Sequence, residues 1–127
     1  MRNRPATPDG IISRLETISE YLESDYQTDN IQHLLERSQR VLAYMSEVTG
    51  LLSAARLIRD AKAIEILERQ PDIKITTLRI LYGQEATLVD TCKNMHDVLK
   101  DTASGLQSQL SAARHERESY IKDKSTT

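Results

Sequence analysis

The sequence predicts an all-α protein: a short N-terminal helix followed by a long antiparallel helical hairpin of coiled-coil character. Apolar residues recur at alternating spacings of three and four through most of the 127 residues, which is the period of one helix face. Of the three prolines, only Pro71 interrupts such a stretch. The one segment with strand character, Ile73-Lys74-Ile75-Thr76, has no partner strand anywhere in the chain. Phe and Trp are absent, so the core must be aliphatic, and Tyr21, Tyr26, Tyr44, Tyr82 and Tyr120 are the only aromatic rings.

Residues 1–6 read as a disordered lead. Thr7-Pro8-Asp9 then opens a helix with a side-chain cap, a proline in the first turn and an early acid. Ile11, Leu15, Ile18 and Leu22 form its stripe, and the pattern fades near Asp25, giving a first helix over 8–25. Asp29-Asn30-Ile31-Gln32 resembles a capping box, a short polar cap with Gln three residues on. A second helix follows over 30–69, with a stripe at Leu34, Val41, Met45, Val48, Leu52 and Ala55 that drifts through Ile58, Ala61, Ile64 and Leu67. At 1.5 Å per residue it is a rod of roughly 60 Å. Gly50 inside it marks a bend or a close helix crossing.

Gln70-Pro71-Asp72 ends the second helix, because proline disfavours helical geometry in the residue before it. A third helix is predicted over 77–122. Leu78, Leu81, Glu85, Leu88, Cys92, Met95, Leu99, Thr102, Leu106, Gln109 and Ala113 alternate three-four without a skip, a heptad seam with polar entries. Two long helices joined by a short turn pack antiparallel. The chain is thus one domain over 7–122 with a tail at 123–127, the first helix folding onto the hairpin or onto a neighbouring subunit.

Charge is distributed unevenly around a formal net of −2. From Asp9 to Glu36 Arg14 stands alone against seven acids: Asp9, Glu16, Glu20, Glu23, Asp25, Asp29 and Glu36. From Arg37 to Ala63 the balance inverts, with Arg37, Arg40, Arg56, Arg59 and Lys62 against Glu47 and Asp60. An acidic first helix beside a basic second one reads first as complementarity within the chain or between subunits. The acidic total and the scarcity of stacking aromatics argue against nucleic acid. No stretch approaches the ~20 apolar residues that span a bilayer, so no membrane partner is expected. The single cysteine, Cys92, excludes an intramolecular disulfide and fits a reducing cytoplasm.

Catalytic constellations are missing. His33, His96 and His115 lie far apart, and Cys92 with His96 makes at most half a metal site. Gly10, Gly50, Gly83 and Gly105 are isolated, which excludes a phosphate loop or dinucleotide turn. No nucleophile elbow is present. Acid pairs such as Glu65/Glu68 and Asp97/Asp101 are what solvated helix faces ordinarily carry. No catalytic residue, metal ligand or cofactor is assigned, and the protein is read as a non-enzyme.

One cluster has binding chemistry. Arg56, Arg59 and Lys62 approach Arg79 and Tyr82 across the turn at Pro71, with Arg69 and Lys74 nearby. Guanidinium groups and one ring suit a phosphate-bearing ligand, and in a helical oligomer the pocket would form between subunits. Ordinary ion pairing with Glu65, Glu68 and Asp72 is the competing reading.

The runs Leu51-Leu52-Ser53-Ala54-Ala55-Arg56-Leu57-Ile58-Arg59-Asp60-Ala61-Lys62 and Gln84-Glu85-Ala86-Thr87-Leu88-Val89-Asp90-Thr91-Cys92-Lys93-Asn94-Met95 resemble a group of small helical proteins of phages and prophages, mostly without assigned function. In that group an E-E-A-x-L-V-D-W-C-E-R-L-N-like run opens the last helix. Here Thr91 replaces its tryptophan and Asn94-Met95 inverts its Leu-Asn order. The resemblance implies a phage accessory protein in the cytoplasm of the bacterial host. It suggests sequestration of an anionic nucleotide immune signal at Arg56, Arg59, Lys62, Arg79 and Tyr82, without chemistry. The alternative is a structural or adaptor coiled coil that binds or inhibits a host protein. A thin aliphatic rod leaves apolar surface to cover, so a homo-oligomer is expected. Light scattering at high micromolar concentration should return a dimer or larger species, and a monomer would remove both the oligomer and the inter-subunit pocket.

Overall fold

The computed structural model describes residues 6–125, of which 87% are helical, with no strand among them. Four helices follow in order: α1 (Pro8–Glu23), α2 (Ile31–Arg69), α3 (Ile75–Leu81) and α4 (Gly83–Ser125). All but Ala6 of the expected lead lies outside the described residues, and α4 continues through Ser125 into the segment read as a tail.

The helix ends follow local chemistry. Thr7 is extended and its Oγ1 accepts the Gly10 N–H at 3.1 Å, as its position before Pro8 predicts. α1 stops before the expected Asp25 because Ser24 turns extended, and both its N–H and its hydroxyl bond the Tyr21 carbonyl. The cap of α2 is Asn30, whose Oδ1 accepts the His33 N–H at 3.2 Å. The box expected on Asp29 does not form: Gln32 reaches forward to Glu36 instead. α2 runs on through Gly50, and an added Cβ there would have no neighbour within 4 Å, so it marks no close crossing within the chain.

The third helix expected over 77–122 is two helices. α3 begins earlier, at Ile75, and the chain leaves helical geometry at Tyr82 (φ −103°, ψ 18°) before α4 starts at Gly83. Tyr82 N–H still bonds the Leu78 carbonyl and its own carbonyl accepts from Ala86, so the joint is a single residue wide. Gly83, poor at propagating a helix, is the local reason. The heptad register does not carry across: Leu81 is exposed and Leu88 is the first buried seam residue of α4.

α2 and α4 pack against each other as the arms of a hairpin. They run antiparallel, with Ile31 and Gln32 beside Ala112 and Ala113 at one end and α3 at the other. A strict seven-residue row, Leu34, Val41, Val48 and Ala55, meets Leu88, Cys92, Leu99 and Leu106 with Val89 and Leu110. α1 lays Ile11, Leu15 and Ile18 onto this seam. It therefore packs on its own hairpin, but not by the expected charge complementarity. The cross-helix ion pair is its one base, Arg14, donating to both carboxylate oxygens of Glu47 at 2.5 and 2.8 Å. That bidentate partner holds the Glu47 carboxyl below its usual range. Among the described residues, no acid of α1 pairs with a base of α2.

Beyond Ala55 the aliphatic row gives out. The next step of seven is the half-buried Lys62, Arg59 sits half-buried one turn before it, and Ile66 alone is buried from there to the joint. The apolar residues of this end turn outward: Leu57 is 71% and Ile80 77% exposed, with Ile64, Leu67, Ile75 and Leu81 also open. α2 also contains a window long and apolar enough, by length and composition alone, to cross a membrane, with 17% of that window buried. From Val41 to Ala55 Glu47 is the one charged residue, and its Ser, Thr and Gly hide that run from a count of bulky apolar side chains.

Leu99 and Gly50 separate packing from propensity. Leu99→Ala should cost about 2–5 kcal/mol by opening a cavity in the seam. Gly50→Ala, on an open helix surface, should stabilise by about 0.5–1 kcal/mol. Urea unfolding followed by circular dichroism reads both, and a destabilising Gly50→Ala would show that something packs on this face.

Candidate functional site

The five residues that composition and spacing suggested all lie at the α3 end of the hairpin, but on different faces. Arg56 points outward from α2 and is exposed, whereas Arg59 and Lys62 are half-buried on the rows that continue the seam. Arg79 is exposed on α3, and Tyr82 is half-buried at the α3–α4 joint. Arg59 Nε bonds its neighbour Asp60 at 3.1 Å, and nearby Arg69 pairs with Glu65 at 3.1 Å, so local ion pairing occupies part of the cluster. The principal crevices of the described surface are lined by other residues. What this end does present is exposed apolar side chains interleaved with cations: Leu57 after Arg56, Ile75 after Lys74, and Ile80 after Arg79.

A second constellation sits at the opposite end. Arg37, counted in the sequence among the bases of the second helix, is 5% exposed. One NH2 group donates to the carbonyls of Tyr21 and Leu22 at 3.2 and 3.0 Å, and the NH1 group donates to Ser24 Oγ at 3.2 Å. The Leu22 carbonyl has no other partner among the described residues, the Tyr21 carbonyl also accepts from Ser24, and a cation there meets the negative end of the helix dipole. Its guanidinium carbon lies 4.7 Å from the Tyr21 ring centroid and 4.1 Å from that of Tyr26, both in cation–π range. Tyr21 in turn packs edge-on to Tyr44 at 5.4 Å. Tyr26 Oη donates to Gln109 Oε1 at 3.2 Å, which ties the α1–α2 connection to α4.

The signal for Arg37 was present in the sequence. It lies three residues after Leu34 and four before Val41, squarely within the buried stripe. A charged residue there is either misplaced or satisfied by specific acceptors, and those acceptors belong to another helix, beyond the reach of periodicity.

Elsewhere the chemistry is quiet. Cys92 is fully buried in the seam, and burial pushes its thiol above the usual range, away from the reactive thiolate. Among the described residues no three His, Cys, Asp or Glu side chains come together as metal ligands. No protein-family model, curated protein or solved structure matches this chain.

Arg37 and Arg56 are opposites in structural weight. Arg37→Met should lower stability by about 2 kcal/mol, because it strands the Leu22 carbonyl at the end of α1 and removes the ring contacts. Arg37→Lys should restore only part of this, since an ammonium cannot span three acceptors between two rings. Arg56→Ala should stay within about 0.5 kcal/mol of the parent. Chemical denaturation of the three variants checks the order, and equal losses would refute it.

Proposed function

We propose that this protein is a non-catalytic helical binding protein that docks the open end of its hairpin, residues 57–82, onto a protein partner. The observation that carries this reading is the uncovered apolar set at that end, Leu57, Ile64, Leu67, Ile75, Ile80 and Leu81, flanked by Arg56, Lys74 and Arg79. Exposed apolar groups in such number on a small chain mark an interaction surface. Interleaved cations select a partner whose apolar contact is rimmed by acidic residues, and they speed and orient the encounter. An aliphatic seam with a buried cysteine, and no ligand triad among the described residues, supports association better than chemistry.

Sequestration of an anionic nucleotide by Arg56, Arg59, Lys62, Arg79 and Tyr82 is the second reading. Their charge and the shared end favour it. Their spread over different faces favours it less, so it depends on a neighbouring subunit to complete a pocket.

Site-specific photo-crosslinking in cells discriminates these readings. A benzophenone side chain at Leu57 or Ile80 is expected to give one discrete adduct with another protein, and the same group at Lys93, on the exposed face of α4, none. No discrete adduct from either position would overturn the docking function. An adduct only with a second copy would reduce this surface to self-assembly. Nucleotide capture is tested by thermal shift against cyclic di- and trinucleotides, with recovery of intact ligand required.

A further inference from the structure

We propose that the crevice between the α1–α2 connection and the first turns of α2 is a binding site for a small organic phosphate, with Arg37, Arg40 and His33 as its anion-binding groups. The crevice has a volume of about 450 Å³. That is far larger than a bare ion needs, and it lies within the size range of small-molecule sites.

The strongest mark of a missing partner is Arg37 itself. This side chain is 95% buried, yet no carboxylate lies within ion-pair distance of it among the described residues. Its Nε–H is sealed from solvent and has no acceptor. The carbonyls of α1 and the tyrosine rings supply partial charges, so a full positive charge remains without a counter-ion. A buried donor of this kind calls for an ion or ligand to complete it. Arg40 and His33 line the same crevice and are exposed, so their side chains are open to a ligand.

Acidic groups make the site selective rather than merely cationic. Asp25 and Glu36 also line the crevice, and neither pairs with Arg37 or Arg40. Glu36 accepts a hydrogen bond from Gln32 at 3.3 Å. A simple anion meets these carboxylates as repulsion. A phosphate ester that carries hydroxyl or amino groups offers them donors while its phosphoryl oxygens accept from the Arg37 Nε–H and the Arg40 guanidinium. Tyr26 belongs to the irregular segment between the helices and is 38% exposed. Its ring, 4.1 Å from the Arg37 guanidinium carbon, is one wall of the crevice. The site is at the opposite end of the hairpin from the docking surface and does not depend on it.

The test is an NMR titration of the arginine Nε–H resonances with ribose 5-phosphate, inorganic phosphate, ribose and sodium chloride at matched ionic strength. Ribose 5-phosphate should shift the Arg37 Nε–H and the His33 ring signals saturably, with a midpoint well below that of inorganic phosphate. Ribose and chloride should leave them in place. Arg40→Gln, at an exposed position that leaves the fold intact, should raise the midpoint about tenfold, as expected for a lost charge-assisted hydrogen bond, and Arg56→Gln should not change it. Shifts no larger than those with chloride would overturn the proposal, as would an unchanged midpoint in Arg40→Gln. Equal midpoints for the two phosphates would overturn the ligand class.

Discussion

The fold depends on a row of aliphatic side chains that repeats every seven residues along α2. Leu34, Val41, Val48 and Ala55 are each completely buried, and everything else is arranged around where that row begins and ends. An undistorted α-helix drifts by about 20° per heptad against such a repeat, so holding the four residues of the row to one partner over three steps commits α2 and α4 to coiled-coil packing. At about 1.5–3 kcal/mol for each large apolar side chain fully buried, the seam outweighs the surface ion pairs, whose individual worth is about 0–1 kcal/mol. Arg14 and Glu47 orient α1, while Ile11, Leu15 and Ile18 hold it.

The two ends of the seam fail in opposite ways. At the end where α2 begins, a charged residue, Arg37, stands on the buried stripe between Leu34 and Val41, and carbonyls of α1 with rings from α1 and its connection receive most of its guanidinium while its Nε–H stays without an acceptor. At the far end, the row reaches Lys62 with nothing of that kind to receive it. α1 spends its three buried side chains on the seam and the apolar residues of this end are left facing out. A long charged side chain at a seam position keeps its head wet and buries only its stem, which spreads the helices' apolar groups outward instead of gathering them between.

What was legible in the sequence follows from this division. Thr7-Pro8 specified the start of α1 because a cap is a local matter, and the three-four spacing specified the hairpin because the seam is periodic. The break at Tyr82 was hidden because Leu78, Leu81 and Glu85 keep the heptad spacing across it, and spacing says nothing about a one-residue backbone excursion. The site residues were harder still. Arg56, Arg59 and Lys62 are close in sequence, yet a helix turns 100° per residue, so closeness along the chain scattered them over its faces. Arg37 and Tyr26 are eleven residues apart on different elements, and the guanidinium carbon lies 4.1 Å from the ring centroid.

The charge pattern shows why sequence complementarity is a weak guide to who meets whom. An acidic first helix and a basic second one invite pairing, yet the contact that forms joins the only base of α1 to the only acid in the middle of α2. Packing chose the register, because the aliphatic faces of α1 and the seam had to meet, and charges then took whatever neighbour that register supplied. The acids of α1 and, near the joint, Arg56, Lys62, Lys74 and Arg79 form no ion pair among the described residues and are left to solvent or to other molecules. Both surfaces are by-products of one seam that fixes the helices and leaves the charged residues outside it uncommitted, and uncommitted charge on a rigid frame is what recognition requires.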